Sequence, residues 1–163
     1  MRAGAVLALF LVGCSSGPRP IIDNCPGSAA DLCAWRKLPG QELAERVAWV
    51  HAWGMKTPIP ELRPLTGAAL NCGGGLKFLI LDSNGAEVCV RGIYYPSRRA
   101  GYFAAEYGDA TRLDRTSLVH ELMHGRLADL KIHDEEHSHD DWRAGGLLDL
   151  TKAVIASVLY RTE

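Results

Sequence analysis

The sequence has no apolar run long enough to cross a membrane as a helix, and it has almost no excess of charge. Its longest apolar run, residues 3–12, is well short of the roughly 20 residues that a transmembrane helix needs. The 18 Lys and Arg residues nearly balance the 19 Asp and Glu residues, which gives a formal net charge of −1 without a basic stripe. These absences predict no nucleic-acid partner and no charged disordered tail.

Two familiar ligand-binding patterns are also missing. The five cysteines include no C-x-x-C pair, which argues against a four-cysteine metal site. The glycine run at residues 73–75 lacks the Lys and Ser/Thr of a phosphate-binding loop, so it is interpreted as a flexible turn. With 163 residues, of which 47% are apolar and 23% are charged, the composition is typical of one globular domain.

The N-terminus has the features of an export signal. Arg2 precedes the apolar run, and the run ends in Leu11-Val12-Gly13-Cys14, which resembles the lipobox of bacterial lipoproteins. The resemblance implies a signal peptide at residues 1–13 and an acylated Cys14 that anchors the chain to a membrane through lipid. Residues 14–24 then form a lipidated tether. Ser15, by analogy, favours the outer membrane of the bacterial cell envelope, and the alternative is an ordinary secretory signal that is cleaved elsewhere.

The four remaining cysteines agree with export. Cys25, Cys33, Cys72 and Cys89 are even in number, and an oxidising compartment would pair them as disulfides. Three pairings are possible. The pairs Cys25–Cys33 and Cys72–Cys89 are favoured because each closes a local loop.

Hydrophobic periodicity and turn residues predict an α+β domain at residues 25–163. A helix is expected from residue 40 to about 53, followed by a loop region at 57–75 that is rich in Pro and Gly. A β-hairpin with an Asn-Gly turn is expected at 76–93, and a third strand at 101–107. A last helix at 145–160 should bury Leu147, Leu148, Val154, Ile155, Val158 and Leu159.

The segment His120-Glu121-Leu122-Met123-His124 carries the chemistry. On a helix, side chains four positions apart share a face, so His120 and His124 can bind one zinc ion together. Glu121 beside them is placed to accept a proton from an activated water. Asp114 or Thr116 could cap the start of this helix.

A second group of histidines follows. His133, nine residues beyond His124, would point away if the helix continues to it. His137 and His139 are two residues apart, so an extended segment would direct both to one side. Either could complete the zinc site, while the other donates a hydrogen bond to a developing oxyanion. The acidic residues beside them, Asp134, Asp140 and Asp141, could orient a ligating imidazole through its second nitrogen.

The H-E-x-x-H motif with a downstream histidine resembles the zincin metallopeptidases, and in particular small bacterial lipoproteins that combine it with a later acidic-His-x-x-x-x-Trp segment. The resemblance covers residues 114–142. It implies a small α+β domain with a metal-binding helix, a short antiparallel sheet and a C-terminal helix. It also implies one Zn²⁺ per chain held by His120, His124 and His137, with Glu121 as the general base.

The resemblance further implies a peptide or protein substrate, which would pair with a strand edge expected at residues 102–106. The chain departs from two known zincin subclasses. Leu127 and Leu130 stand where metzincins have Gly and His, and only Asp149 lies near the position of the later glutamate of the thermolysin type. Subclass and substrate therefore remain open.

Two other functions fit the same residues. Five of the six histidines lie between positions 120 and 139, so a lipoprotein of this kind could capture zinc without catalysis. A degenerate zincin domain could also serve as a noncatalytic envelope module. Glu121 discriminates between them, because a metal-binding protein does not need it and a peptidase does. His139 remains an alternative ligand or an oxyanion donor.

Overall fold

The computed structural model describes residues 19–20, 36–66, 70, 72, 76–82, 84–105, 112–133 and 137–161. In this part of the chain helices and strands combine into the predicted α+β domain. The strands are β1 (Arg19–Pro20), β2 (Glu61–Leu65), β3 (Phe78–Leu81), β4 (Glu87–Val90), β5 (Gly92–Tyr95) and β6 (Ala100–Ala104). The helices are α1 (Gln41–Arg46), which continues as a π-helical segment (Val47–Ala52), α2 (Leu118–Asp129) and α3 (Leu147–Leu159).

The first sheet has the order β1-β3-β4 and is antiparallel throughout. Its β3–β4 hairpin confirms the hairpin that the Asn-Gly pair predicts. Gly85 has a φ of 80°, which a residue without Cβ adopts easily, and Asp82 Oδ1 accepts hydrogen bonds from the backbone N–H groups of Asn84 and Ala86. The short strand β1 lies within residues 14–24, where the sequence predicts a tether.

The second sheet has the order β2-β6-β5 and corrects two predictions. Part of the expected loop at 57–75 is the strand β2, which runs parallel to β6, so the sheets are not antiparallel throughout. Pro64 made this stretch look irregular, but proline is tolerated in a strand at the edge of a sheet. The strand edge expected at 102–106 is also wrong, because β6 pairs with β2 on one side and with β5 on the other.

The second sheet separates two apolar clusters. Leu62, Tyr94 and Phe103 on one face join the larger cluster, to which the π-helical segment and α2 contribute Trp49 and Leu122. The other face packs against the hairpin through the smaller cluster, which contains Leu65, Phe78, Ile80 and Ala104. The helix α2 therefore lies directly on this sheet, against β5 and β6.

The helix α3 follows the predicted bounds closely, but the predicted buried face is partly wrong. Leu148 and Ile155 are buried in the larger cluster. Val154 and Val158 are 44% and 47% exposed, because they lie beside the helix face that contacts the core and not on it. The apolar face that the sequence predicts for α3 is therefore wider than the face that the helix buries.

Cys72 and Cys89 form a disulfide, as the local-loop pairing predicts. It ties β4 to the segment that precedes the hairpin. The predicted signal peptide, the lipidated Cys14 and the Cys25–Cys33 pair lie outside the described residues. None of the helices in the described ranges has both the length and the apolar character that crossing a bilayer requires.

Candidate metal centre

The helix α2, which carries His120 and His124, begins where the sequence predicts, after a short 3₁₀ turn at Leu113–Arg115. Thr116 Oγ1 accepts a hydrogen bond from the backbone N–H of Leu118, 3.2 Å away, and donates one to the carbonyl of Leu113. Asp114, the other candidate cap, instead pairs with Arg112. Thr116 thus satisfies one of the first N–H groups of the helix, which have no partner inside the helix itself.

Three imidazoles converge on one point. His120 and His124 lie one turn apart on α2, and His137 reaches them from the segment that follows the helix. Each of the three Nε2–Nε2 distances is 3.2 Å. The three histidines can therefore hold a metal ion together.

The size of this triangle allows a test of which ion fits. A tetrahedral zinc ion binds imidazole nitrogens at about 2.0–2.1 Å, which places those nitrogens about 3.3 Å from one another. The observed 3.2 Å is close to that spacing. Neutral imidazoles suit zinc, copper, iron and nickel, so the donor set fits zinc without being unique to it.

The protonation state of His120 also suits a metal. Burial, together with the neighbouring imidazoles of His124 and His137 and the ammonium of Lys152, lowers the pKa of His120 to about 3. His120 is therefore neutral at pH 7. A neutral ring offers the lone pair that a metal ion needs.

The structure groups His137, and not its rivals, with the two helical histidines. Its backbone has a φ of 55°, in the left-handed region that few residues other than glycine adopt. His139 does not belong to the group, and its Nδ1 accepts a hydrogen bond from the backbone N–H of Asp141. His133 is exposed and is not a member either.

Trp142 lies against all three imidazoles. Its ring centroid is 4.7 Å from that of His120, 4.8 Å from that of His124 and 4.5 Å from that of His137. The three histidine rings are themselves 4.9 Å apart. The indole therefore covers one face of the triangle, and a further ligand would have to approach from the other.

Glu121 occupies the neighbouring face of α2, toward β5. Its side chain is buried, with a residue exposure of 2%, and burial raises its pKa to about 8. A carboxyl group with this pKa takes up and releases a proton near neutral pH, which a carboxylate at the surface does not do. Gly92 makes room for it: a Cβ at that position would lie 2.1 Å from Glu121 Oε1.

We predict that Gly92→Ala destabilises the protein by about 1–3 kcal/mol, because the new methyl group would overlap the Glu121 carboxyl. Urea unfolding gives the free energy of unfolding for this variant. The matched background is Glu121→Ala, which removes the overlapping atoms. In that background Gly92→Ala should have almost no effect. An equal loss in both backgrounds would contradict the contact.

Sequence reasoning missed three residues that border this centre. In the sequence Gly92 looks like part of a hairpin strand. Its place beside Glu121 is visible only in the folded chain, where β5 packs against α2. Trp142 carries a signal in the acidic-His-x-x-x-x-Trp pattern, but the pattern does not predict that its ring contacts three imidazoles. Arg126 pairs with Asp141, whose Oδ2 also lies 3.2 Å from His139 Nδ1, and Asp140 pairs with Arg143 at the surface. Asp134 lies outside the described residues.

No protein-family model, no curated protein and no solved structure matches this chain.

Proposed function

We propose that this chain is a zinc-dependent peptidase of the bacterial cell envelope. The observation that carries the proposal is the three-histidine triangle with its equal 3.2 Å spacings. Zinc sites with three protein ligands leave one position for water or substrate and are typical of catalysis, whereas structural sites use four protein ligands. The envelope location is proposed from the lipobox-like sequence at Cys14 alone.

The proposal gives each side chain of the site a separate role. Zinc held by His120, His124 and His137 would supply a Lewis acid that makes water nucleophilic and polarises a carbonyl group. Glu121 would accept the proton that the attacking water loses and would pass it to the nitrogen of the departing amine. Trp142 would exclude water from one face of the ligands, which strengthens electrostatic interactions on that side.

The strand β5 is the best candidate for binding an extended peptide. It is one of the two outer strands of the order β2-β6-β5, and it packs against α2 beside Glu121. A peptide that pairs with an exposed strand edge gains main-chain hydrogen bonds without a requirement for a particular sequence. This supports a peptide substrate and replaces the edge that the sequence predicts on β6.

The test is metal content and peptide hydrolysis, both measured on the purified full chain. We expect about one zinc ion per chain and cleavage of an unstructured peptide library that stops when a chelator removes the ion and returns when zinc is added. Zinc without any cleavage across the library would overturn the peptidase assignment. Absence of tightly held metal would overturn the metal centre itself.

Metal capture is the second candidate, and one observation favours it. The triangle of histidines is complete without Glu121, whose carboxyl faces Gly92. In a protein that only stores or delivers zinc, removal of that carboxyl would leave the zinc affinity unchanged. Its expected signature is one zinc ion per chain that passes rapidly to a competing chelator.

A further inference from the structure

An ion pair links α2 to the turn that follows the third histidine. Arg126 Nη1 donates to Asp141 Oδ2, and the two side chains are only 17% and 16% exposed. The same guanidinium lies 3.9 Å from the sulfur of Met123, which is fully buried. The pair is thus sheltered from water, where an interaction between charges is stronger than at the surface.

The position of Asp141 connects this pair to the metal ligands. It lies in the short 3₁₀ turn at Asp140–Trp142, directly before the tryptophan that contacts all three imidazoles. Its backbone N–H is bound by His139, so the turn is also held from within. A fixed Asp141 therefore fixes where the indole of Trp142 sits and where the segment from His137 onward meets α2.

His137 needs such support. Its backbone is in the left-handed region, which is unfavourable for a residue with a Cβ, and its side chain is exposed. The imidazole is therefore held in place neither by the backbone preference of the residue nor by burial of the side chain. The contacts that the segment makes with α2 can supply the constraint, and among the described residues they include the Arg126–Asp141 ion pair.

We infer that Arg126, acting through Asp141, is a positioning residue that holds the third histidine segment against α2 and thereby sets the affinity and geometry of the metal centre. This inference rests on the proposed metal site and adds a residue that positions the His137 segment in the metal-free protein. Groups beyond the ligands that orient a metal site typically change metal affinity about 10–100-fold when they are removed.

The chain offers a matched control. Arg99 pairs with Asp129, the last residue of α2, with Nη2–Oδ2 and Nε–Oδ1 distances of 2.7 and 3.2 Å. This pair also ties α2 to a neighbouring loop, but it is not part of the histidine segment. Arg99→Met should therefore lower thermal stability, because it removes an ion pair between the helix and a loop, and it should leave metal affinity unchanged.

The experiment compares the full chain with Arg126→Met, Asp141→Asn, the double variant and Arg99→Met. Zinc affinity is measured by competition with a chromophoric chelator, and the visible spectrum of bound Co²⁺ reports ligand geometry. Hydrogen exchange of the amides at residues 139–142 in metal-free protein reports the segment itself. We expect each single change to weaken zinc binding about 10–100-fold, and the double change to weaken it no further.

The outcomes separate the two proposals. Faster exchange at 139–142 and a weakened, non-additive zinc affinity, with Arg99→Met unchanged, would support the inference. If the wild-type chain binds zinc and Arg126→Met binds it with the same affinity, the inference is overturned and the metal site stands. If Arg99→Met loses as much zinc affinity as Arg126→Met does, Arg126 has only a general stabilising role and the inference is overturned. A wild-type chain that binds no zinc would overturn both.

Discussion

Glu121→Gln should reduce the turnover of peptide hydrolysis by about 10²–10⁴-fold while the chain keeps its zinc, because the amide cannot accept the proton that the attacking water must lose. The substitution preserves the volume of the side chain. The close fit against Gly92, where a methyl group would lie 2.1 Å from Oε1, is therefore kept. The measurement is kcat on a peptide substrate with zinc content determined on the same sample.

The control for this prediction is the second glutamate that is buried among the described residues. Glu45 is 1% exposed, lies in α1, pairs with Lys37 and is remote from the histidines in sequence. Glu45→Gln should lower the stability of the fold and leave kcat per folded molecule unchanged. Full activity of Glu121→Gln with bound zinc would reject Glu121 as the general base and would favour metal capture or another base.

His137→Ala should weaken zinc binding by about 10²–10³-fold. Apparent binding free energies of about 10–16 kcal/mol for structural zinc sites with four ligands correspond to roughly 2.5–4 kcal/mol for each ligand. His137 Nε2 lies 3.2 Å from both of the other ligand nitrogens, so its loss leaves only the pair on α2. Chelator competition measures the change, and peptide hydrolysis should fall with it.

His139→Ala is the matched comparison, because the two histidines are close in sequence and only one belongs to the triangle. It removes a hydrogen bond to the backbone N–H of Asp141 and no metal ligand. Zinc affinity should therefore fall much less than in His137→Ala. The reverse order, with zinc lost in His139→Ala and kept in His137→Ala, would move the third ligand to His139.

The parts of the fold that were predictable are those whose signals are local. The helices α2 and α3 follow from apolar spacing, and the β3–β4 hairpin follows from an Asn-Gly turn between two apolar runs. The strand β2 was not predictable in this way. Its Pro64 is acceptable only because β2 is an outer strand, and strand order is a property of the whole sheet.

The candidate site divides in the same manner. The spacing of His120 and His124 predicts a shared helix face, since the helical period is fixed by the backbone. The choice of His137 over His139 depends on a left-handed backbone and on the contacts of Trp142 and Asp141. Those contacts exist only once the segment has folded back onto α2, so the spacing of residues could narrow the third ligand to two candidates and no further.

The nearness of the three ligands in sequence has a consequence for how metal and folding are coupled. Only twelve residues separate His124 from His137, so closing that loop in an unfolded chain carries a small entropic penalty. The denatured chain can thus chelate zinc through the same imidazoles, although without the turn that aligns them. Ligand binding stabilises a protein only by the difference between its affinities for the folded and unfolded states. Zinc should therefore raise the melting temperature by less than its affinity for the native site alone would imply.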